Sequence, residues 1–236
     1  LAETLKILST LAIAAPMREL GQRFEHTTGI TLDAEYGPTV LLVKRLDAGA
    51  QPDVVALTKD KVDQCASEGT IAANSAVDLV RSFVGVAVKA GAPRPKIGTT
   101  AEFREALLAA RSIGYSRAGA SGLFFVELLK RLGIAEAVNA KATVIPEGFT
   151  AELAVSGKVE LAIQQVSELM AVPGVDIVGP LPREIEPGSV FSAGVWASST
   201  RKMQAARLIA FLASAEAAPV IGRFGLEPLG WEAKTG

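Results

Sequence analysis

Apolar positions along this chain recur in two alternating periods. Leu5–Ser9, Ile30–Tyr36 and Asp53–Leu57 are short runs with β-branched content and turn residues at their ends, the pattern of strands. Between them, Pro16–Glu25 and Thr39–Ala48 carry a helical period. Met17, Leu20 and Phe24 form the apolar stripe of the first; Leu42, Val43 and Leu46 form that of the second, with Lys44, Arg45 and Asp47 outside. Thr27-Thr28-Gly29 closes the first helix, with glycine at a C-terminal cap. A third helix is expected near Lys59–Glu68, and the continuous apolar run Phe83–Val88 reads as a buried strand.

The alternation continues downstream. A helix opens at Thr100, Ile113–Ser116 is a strand, and Ser121–Leu132 is a helix stopped by Gly133. Ala142–Ile145, Glu160–Gln164, Asp176–Val178 and Val190–Ala197 read as strands; Phe149–Ser156, Arg201–Leu212 and Glu216–Phe224 read as helices. Pro173, Pro180, Pro182 and Pro187 mark the stretch around them as loop. Strands and helices taking turns predict an α/β fold with a largely parallel sheet. No linker rich in Gly or Ser divides the chain. Two lobes would therefore be joined by short extended segments, near Leu79–Phe83 and Pro187–Ala193.

Composition narrows the function classes. Lys plus Arg number 24 against 25 for Asp plus Glu, which gives no basic field for nucleic acid. At 236 residues and 49% apolar the chain suits one large or two small folded domains. Cys65 is the only cysteine, so no intrachain disulfide forms. Ile7–Ala15 has a trace of a targeting peptide's pattern, but it continues into an amphipathic helix and reads better as first strand and turn.

Catalytic constellations are scarce. His26, the only histidine, falls at the polar end of a helix. Ser121 lies in Gly119-Ala120-Ser121-Gly122, which is not a G-x-S-x-G elbow, and a triad would have to recruit His26. No phosphate loop, zinc helix or dinucleotide fingerprint occurs. What remains is a set of small-residue loops that end strands and start helices: Ser9-Thr10 with Leu11-Ala12, Gly37-Pro38-Thr39, Ala120-Ser121-Gly122, and Gly148-Phe149-Thr150. Unpaired N–H groups and the dipole at a helix start favour an anion, and open α/β sheets bind ligands at strand carboxyl ends. Ordinary N-capping explains each loop taken singly. These features favour a binding protein without a cofactor over an enzyme.

Several segments together resemble a family. Thr27-Thr28-Gly29-Ile30 follows the first helix, and Leu46-Asp47-Ala48-Gly49-Ala50-Gln51-Pro52-Asp53-Val54-Val55 follows the second. Ala120-Ser121-Gly122-Leu123 runs on to Leu132-Gly133, and Phe211-Leu212-Ala213-Ser214 leads to Phe224-Gly225-Leu226-Glu227-Pro228. In this order they resemble the periplasmic molybdate-binding proteins of ABC importers, type II periplasmic binding proteins. The resemblance implies a two-lobed α/β fold, each lobe a mixed, mostly parallel sheet flanked by helices. Residues 1–81 plus 191–236 would form one lobe and 82–190 the other, closing by hinge motion on a ligand in the cleft. It also implies a periplasmic monomer that hands its solute to a membrane permease.

The resemblance places ligand residues one by one. The family's first serine falls near Ala12, with Ser9 and Thr10 just before it; its second falls at Thr39. A backbone N–H donor falls at Ser121, another near Phe149, and the family's tyrosine falls near Gln165, beside Gln164. These departures leave two ligand classes open, a molybdate- or tungstate-like oxyanion and a small organic anion. Arg117 either pairs with a carboxylate or is simply exposed. An effector-sensing domain of a regulator is the alternative role, since one fold serves many functions.

Overall fold

The computed structural model describes residues 3–230. The described residues form two compact units, one from residues 3–82 and 189–230, the other from 83–188. The chain ends expected in the first lobe, residues 1–2 and 231–236, lie outside the described residues.

The first unit begins with β1 (Thr4–Thr10), a short 3-10 turn (Leu11–Ile13) and α1 (Ala14–Thr28). Strand β2 (Thr31–Gly37), α2 (Thr39–Asp47), β3 (Val54–Thr58), α3 (Lys59–Ser67) and β4 (Val77–Ser82) follow. Helix α1 buries Met17, Leu20, Gly21 and Phe24 on one face. It ends where Gly29 adopts φ 73° and returns its N–H to the Glu25 carbonyl, the left-handed cap that glycine adopts without strain.

The second unit holds β5 (Val84–Lys89), α4 (Thr100–Ala109), β6 (Ile113–Ser116), α5 (Ala120–Arg131), α6 (Ala135–Asn139) and β7 (Ala142–Ile145). It is completed by α7 (Ala151–Val155), β8 (Leu161–Gln165), α8 (Val166–Met170) and β9 (Val175–Pro180). The chain then returns to the first unit through β10 (Ser189–Val195), α9 (Lys202–Leu212), α10 (Ala218–Arg223) and the short β11 (Glu227–Pro228).

Both sheets follow one plan. In the first, the order is β11-β4-β10-β3-β1-β2; β2, β1 and β3 run parallel, and β10, β4 and β11 add antiparallel pairs. In the second, the order is β7-β6-β8-β5-β9, with β7, β6 and β8 parallel and β5 and β9 antiparallel. The sheets are thus mixed, as expected, with parallel pairing confined to three strands in each. Apart from β11, the antiparallel strands are those flanking the two chain crossings, at Ser82–Phe83 and Gly188–Ser189.

Several elements differ from the sequence expectation, α6 and β11 among them, which it did not include. Val77–Ser82 forms a strand of its own ahead of Val84–Lys89, because no Gly or Pro marks the change of sheet at Phe83. Strand β9 extends to Pro180; as an edge strand it tolerates a residue without an N–H. Val166–Met170 is a helix that follows β8 with no loop.

Each core is built from aliphatic side chains with a few buried rings. Phe24 and Phe191 are among the largest buried side chains of the first unit, Phe103 and Phe125 of the second. Each such ring contributes roughly 1.5–3 kcal/mol by leaving water. Asp53 is 4% exposed and ties the first unit together: Lys6 N–H donates to Oδ2 at 2.8 Å, and Ser199 Oγ donates to Oδ1 at 2.6 Å.

Gly85 on β5 is the tightest packing point of the second sheet. A Cβ there would lie 2.6 Å from Val166 Cγ2 and 2.8 Å from the Gly179 carbonyl oxygen. Gly85→Ala is therefore expected to cost about 1–3 kcal/mol by overpacking. Urea denaturation checks this through a lowered midpoint at unchanged slope; an unchanged midpoint contradicts the packing described.

Candidate functional site

Parallel register places the polar loops of each unit at one sheet end. In the first unit Thr10 sits opposite Gly37, and Ser9 sits opposite Tyr36 on one side and Ala56 on the other. The exits of β1 and β2 therefore lie side by side, bringing Ser9, Thr10 and Ala12 to the same end as Thr39. Ser9, Thr10 and Thr39 are all buried. Thr10 caps the 3-10 turn, its Oγ1 accepting the Ala12 N–H at 3.0 Å. That leaves the Thr10 hydroxyl hydrogen to donate. The Ala12 N–H is engaged locally and its methyl is buried, so this position supplies no hydroxyl. Thr39 is the first residue of α2, whose first turn holds no acidic residue. Beside it, the Arg18 guanidinium lies 4.6 Å from the Tyr36 ring centre. Burial raises the Tyr36 hydroxyl pKa, and the Arg18 charge works against that rise.

In the second unit, Ser116 ends β6 opposite Ile145, the last residue of β7. Three residues separate the strand end from helix α5, which starts at Ala120 and runs for 12 residues with no acidic residue in its first turn. Its N-cap is Gly119, which offers no side-chain acceptor. Ser116 and Ser121 are 2% and 1% exposed, and neither hydroxyl has a hydrogen-bond partner among the described residues. The two converge: a Cβ on Gly119 would lie 2.8 Å from Ser116 Oγ and 3.7 Å from Ser121 Oγ. A Cβ on Gly122 would overlap the Ser116 carbonyl oxygen at 1.7 Å, so only glycine lets the first turn of α5 approach the strand this closely. A buried hydroxyl without a partner costs about 1–3 kcal/mol. Two of them at one helix start fit an acceptor arriving from outside the chain.

The neighbouring strand β8 ends at Gln165, also buried. Gln164 beside it is committed to structure. Its Oε1 accepts the Thr150 N–H at 2.7 Å and the Thr150 hydroxyl at 3.0 Å, while its Nε2 donates to the Gly148 carbonyl at 2.8 Å. Gln164 therefore fixes the turn that carries Phe149, which is half-buried. Helix α7, just beyond, has only five residues.

Arg117 is exposed, and its N–H donates to the Ile145 carbonyl at 2.8 Å. Its charge acts on the buried Tyr115, whose hydroxyl donates to Asn139 Oδ1. His26 is exposed in the last turn of α1, in the other unit from Ser121, and no histidine accompanies Ser121 in its own unit. Cys65 is free and half-buried.

Two acidic residues escape sequence reasoning. Glu168 on α8 and Glu186 in the segment before β10 are 7% and 1% exposed. Burial raises the Glu168 carboxyl pKa to about 7, against hydrogen bonds from the Gln165 backbone and the Gln164 side chain. Burial likewise raises Glu186 to about 7, against the backbone N–H groups of Val84 and Gly188 and the charge of Arg183. Nothing in spacing separates them from surface acids. The orphaned hydroxyl of Ser116 is equally invisible, since it depends on how close Gly119 and Gly122 let the helix come.

Comparison with known proteins places this arrangement. A family model described as "Bacterial extracellular solute-binding protein" matches residues 5–227. A relative from Pseudomonas sp., named "Aconitate isomerase", is 34% identical over 96% of this chain and 88% of its own. Among solved structures, the Azotobacter vinelandii periplasmic molybdate-binding protein superposes with a TM-score of 0.78 at 17% identity, covering 94% of this chain and 98% of its own. A periplasmic thiamin binding protein superposes with a TM-score of 0.76 at 14% identity, covering 98% and 85%. The fold is shared by proteins named for unlike ligands, so it does not choose one.

The raised glutamates set a pH dependence. A carboxyl whose folded pKa lies above its unfolded one costs no stability below about 4.5; the cost grows as pH rises and is complete above about 7. Glu168→Gln and Glu186→Gln are each expected to gain thermal midpoint relative to the parent as pH goes from 4 to 8. Calorimetric midpoints across that range check this; a parent-to-variant difference that stays constant with pH contradicts it.

Proposed function

This chain belongs to the bacterial extracellular solute-binding proteins, and we propose that it takes up a small carboxylate-bearing anion of the aconitate type. The observation that carries this reading is the pair of buried, unpartnered hydroxyls of Ser116 and Ser121 at the start of α5. A carboxylate there accepts both O–H groups and meets the positive end of the helix dipole. Neutral donors suffice, and the ligand leaves without breaking an ion pair. Thr10 and Thr39 offer hydroxyls at the sheet end of the first unit, beside Ser9, whose own hydroxyl donates to the Thr10 carbonyl at 3.4 Å. Kinship at 34% identity with a protein named for aconitate supports a polycarboxylate over a tetrahedral metal oxyanion. Capture in the periplasm and delivery to an ABC permease is the role that goes with the family.

A second reading adds turnover, because that relative is named as an isomerase and spans nearly the whole chain. Here bound cis-aconitate would be converted to the trans isomer. Proton NMR of cis-aconitate with a hundredth part of protein decides it. Many turnovers of trans product support the isomerase reading, whereas no product above the buffer control leaves binding alone.

Binding itself is tested by calorimetry and thermal shift with trans-aconitate, cis-aconitate, molybdate, tungstate and sulfate. The carboxylates are expected to stabilise the native chain. Ser121→Ala and Ser116→Ala should each weaken carboxylate binding about tenfold to a hundredfold, the loss of one hydrogen bond to a charged group. Thr39→Val should weaken it severalfold. Stabilisation by molybdate and tungstate but by neither aconitate contradicts the proposed ligand.

A further inference from the structure

We propose that Glu168 is a positioning residue of the second unit's binding site, acting through Gln164 on the Gly148–Thr150 turn and through the Gln165 N–H on the end of β8. This rests on the reading that Phe149 and Gln165 border that site. Glu168 is the third residue of α8 and reaches back to the N–H of the residue that precedes the helix. The same carboxyl accepts from the Gln164 side chain. That side chain also donates to the Gly148 carbonyl and accepts twice from Thr150. The Gln164 amide is thereby saturated, with two bonds donated and two accepted. Its orientation is fixed as well: turned over, it would set an N–H₂ group against the Thr150 N–H and an oxygen against the carboxyl. Glu168 is the member of this network that changes charge.

The charged groups around it are few. Helix α8 packs on β5, β8 and β9. Strand β8 carries no ionisable side chain. Lys89 on β5 and Asp176 on β9 lie toward the far end of these strands, about 13 Å from the Gly85–Gln164 pair at strand rise. Asp176 is engaged by Arg94 and the Gly91 N–H. The other titrating carboxyl at the near end is Glu186, bonded to the N–H of Val84, which pairs with Gln165. Arg183 accompanies it, stacked 3.3 Å over the Phe83 ring centre. The Glu168 carboxyl, with its pKa near 7, carries a negative charge above neutrality and is neutral below. An anion at the end of β8 is repelled by the first form and not by the second.

The test uses calorimetric titration of trans-aconitate between pH 5.5 and 8.5 into the parent and the Glu168→Gln, Glu168→Ala and Glu186→Gln variants. The ligand's own titration cancels between proteins. Parent affinity is expected to fall on the order of tenfold from pH 6 to 8. Glu168→Gln, which keeps an acceptor but no charge, should hold the low-pH affinity throughout, while Glu186→Gln follows the parent. Glu168→Ala, also without the charge, should bind about tenfold more weakly than Glu168→Gln at every pH. Amide hydrogen exchange of the ligand-free chain gives an independent reading. The Thr150 N–H should exchange at least about tenfold faster in Glu168→Ala than in the parent, at equal global stability. A Glu168→Gln variant with the parent's pH profile overturns the proposal, as does a Thr150 amide equally protected in Glu168→Ala. Should no anion bind the parent, the reading of the site fails, and the Thr150 exchange still decides the role of Glu168.

Discussion

Parallel pairing of three adjacent strands is the constraint from which the polar chemistry of each unit follows. Parallel strands end at the same sheet edge, and each must hand its chain to a helix or turn there. Thr10 lies opposite Gly37 and Ser116 opposite Ile145 for that reason alone. Helix starts are thus gathered where small side chains leave N–H groups and hydroxyls facing out of the sheet. The antiparallel strands beside them carry the chain from one unit to the other and take no part in this gathering.

The two buried polar groupings of the second unit differ in kind. Gln164 is fully satisfied, and its hydrogen bonds specify one shape for the Gly148–Thr150 turn. Ser116 and Ser121 are buried to the same degree, and their hydroxyls have no partners among the described residues. A folded chain tolerates such a loss where something outside it restores the bonds. The glycines at 119 and 122 sharpen the contrast, because side chains there would separate the hydroxyls from the helix start. Family membership says that a solute is bound; under the proposed function this pair would donate to acceptors on that solute.

Much of the fold was legible because period and punctuation agreed. The stripe Met17, Leu20, Phe24 and the cap at Gly29 marked α1, and Ile113–Ser116 and Ala142–Ile145 are strands with the bounds their β-branched runs suggested. Misreadings fall where punctuation is missing or misleading. No turn residue separates Ser82 from Val84, and Pro180 sits inside an edge strand. The loops at Ser9–Ala12, Thr39 and Ser121 were visible as small residues before helices. What some of those residues do was not, since the Ala12 N–H donates to Thr10 Oγ1 and the Gln164 side chain holds the turn that carries Phe149. Nothing in the sequence marks Glu168 and Glu186, because burial is a property of packing, not of spacing.

The central claim is that the Ser116 and Ser121 hydroxyls receive an acceptor from a carboxylate ligand. A crystal structure of the chain grown with trans-aconitate tests it most directly. A carboxylate oxygen is expected within hydrogen-bond distance, about 2.5–3.0 Å, of both Oγ atoms. A bound ligand that leaves both hydroxyls unpartnered would contradict it.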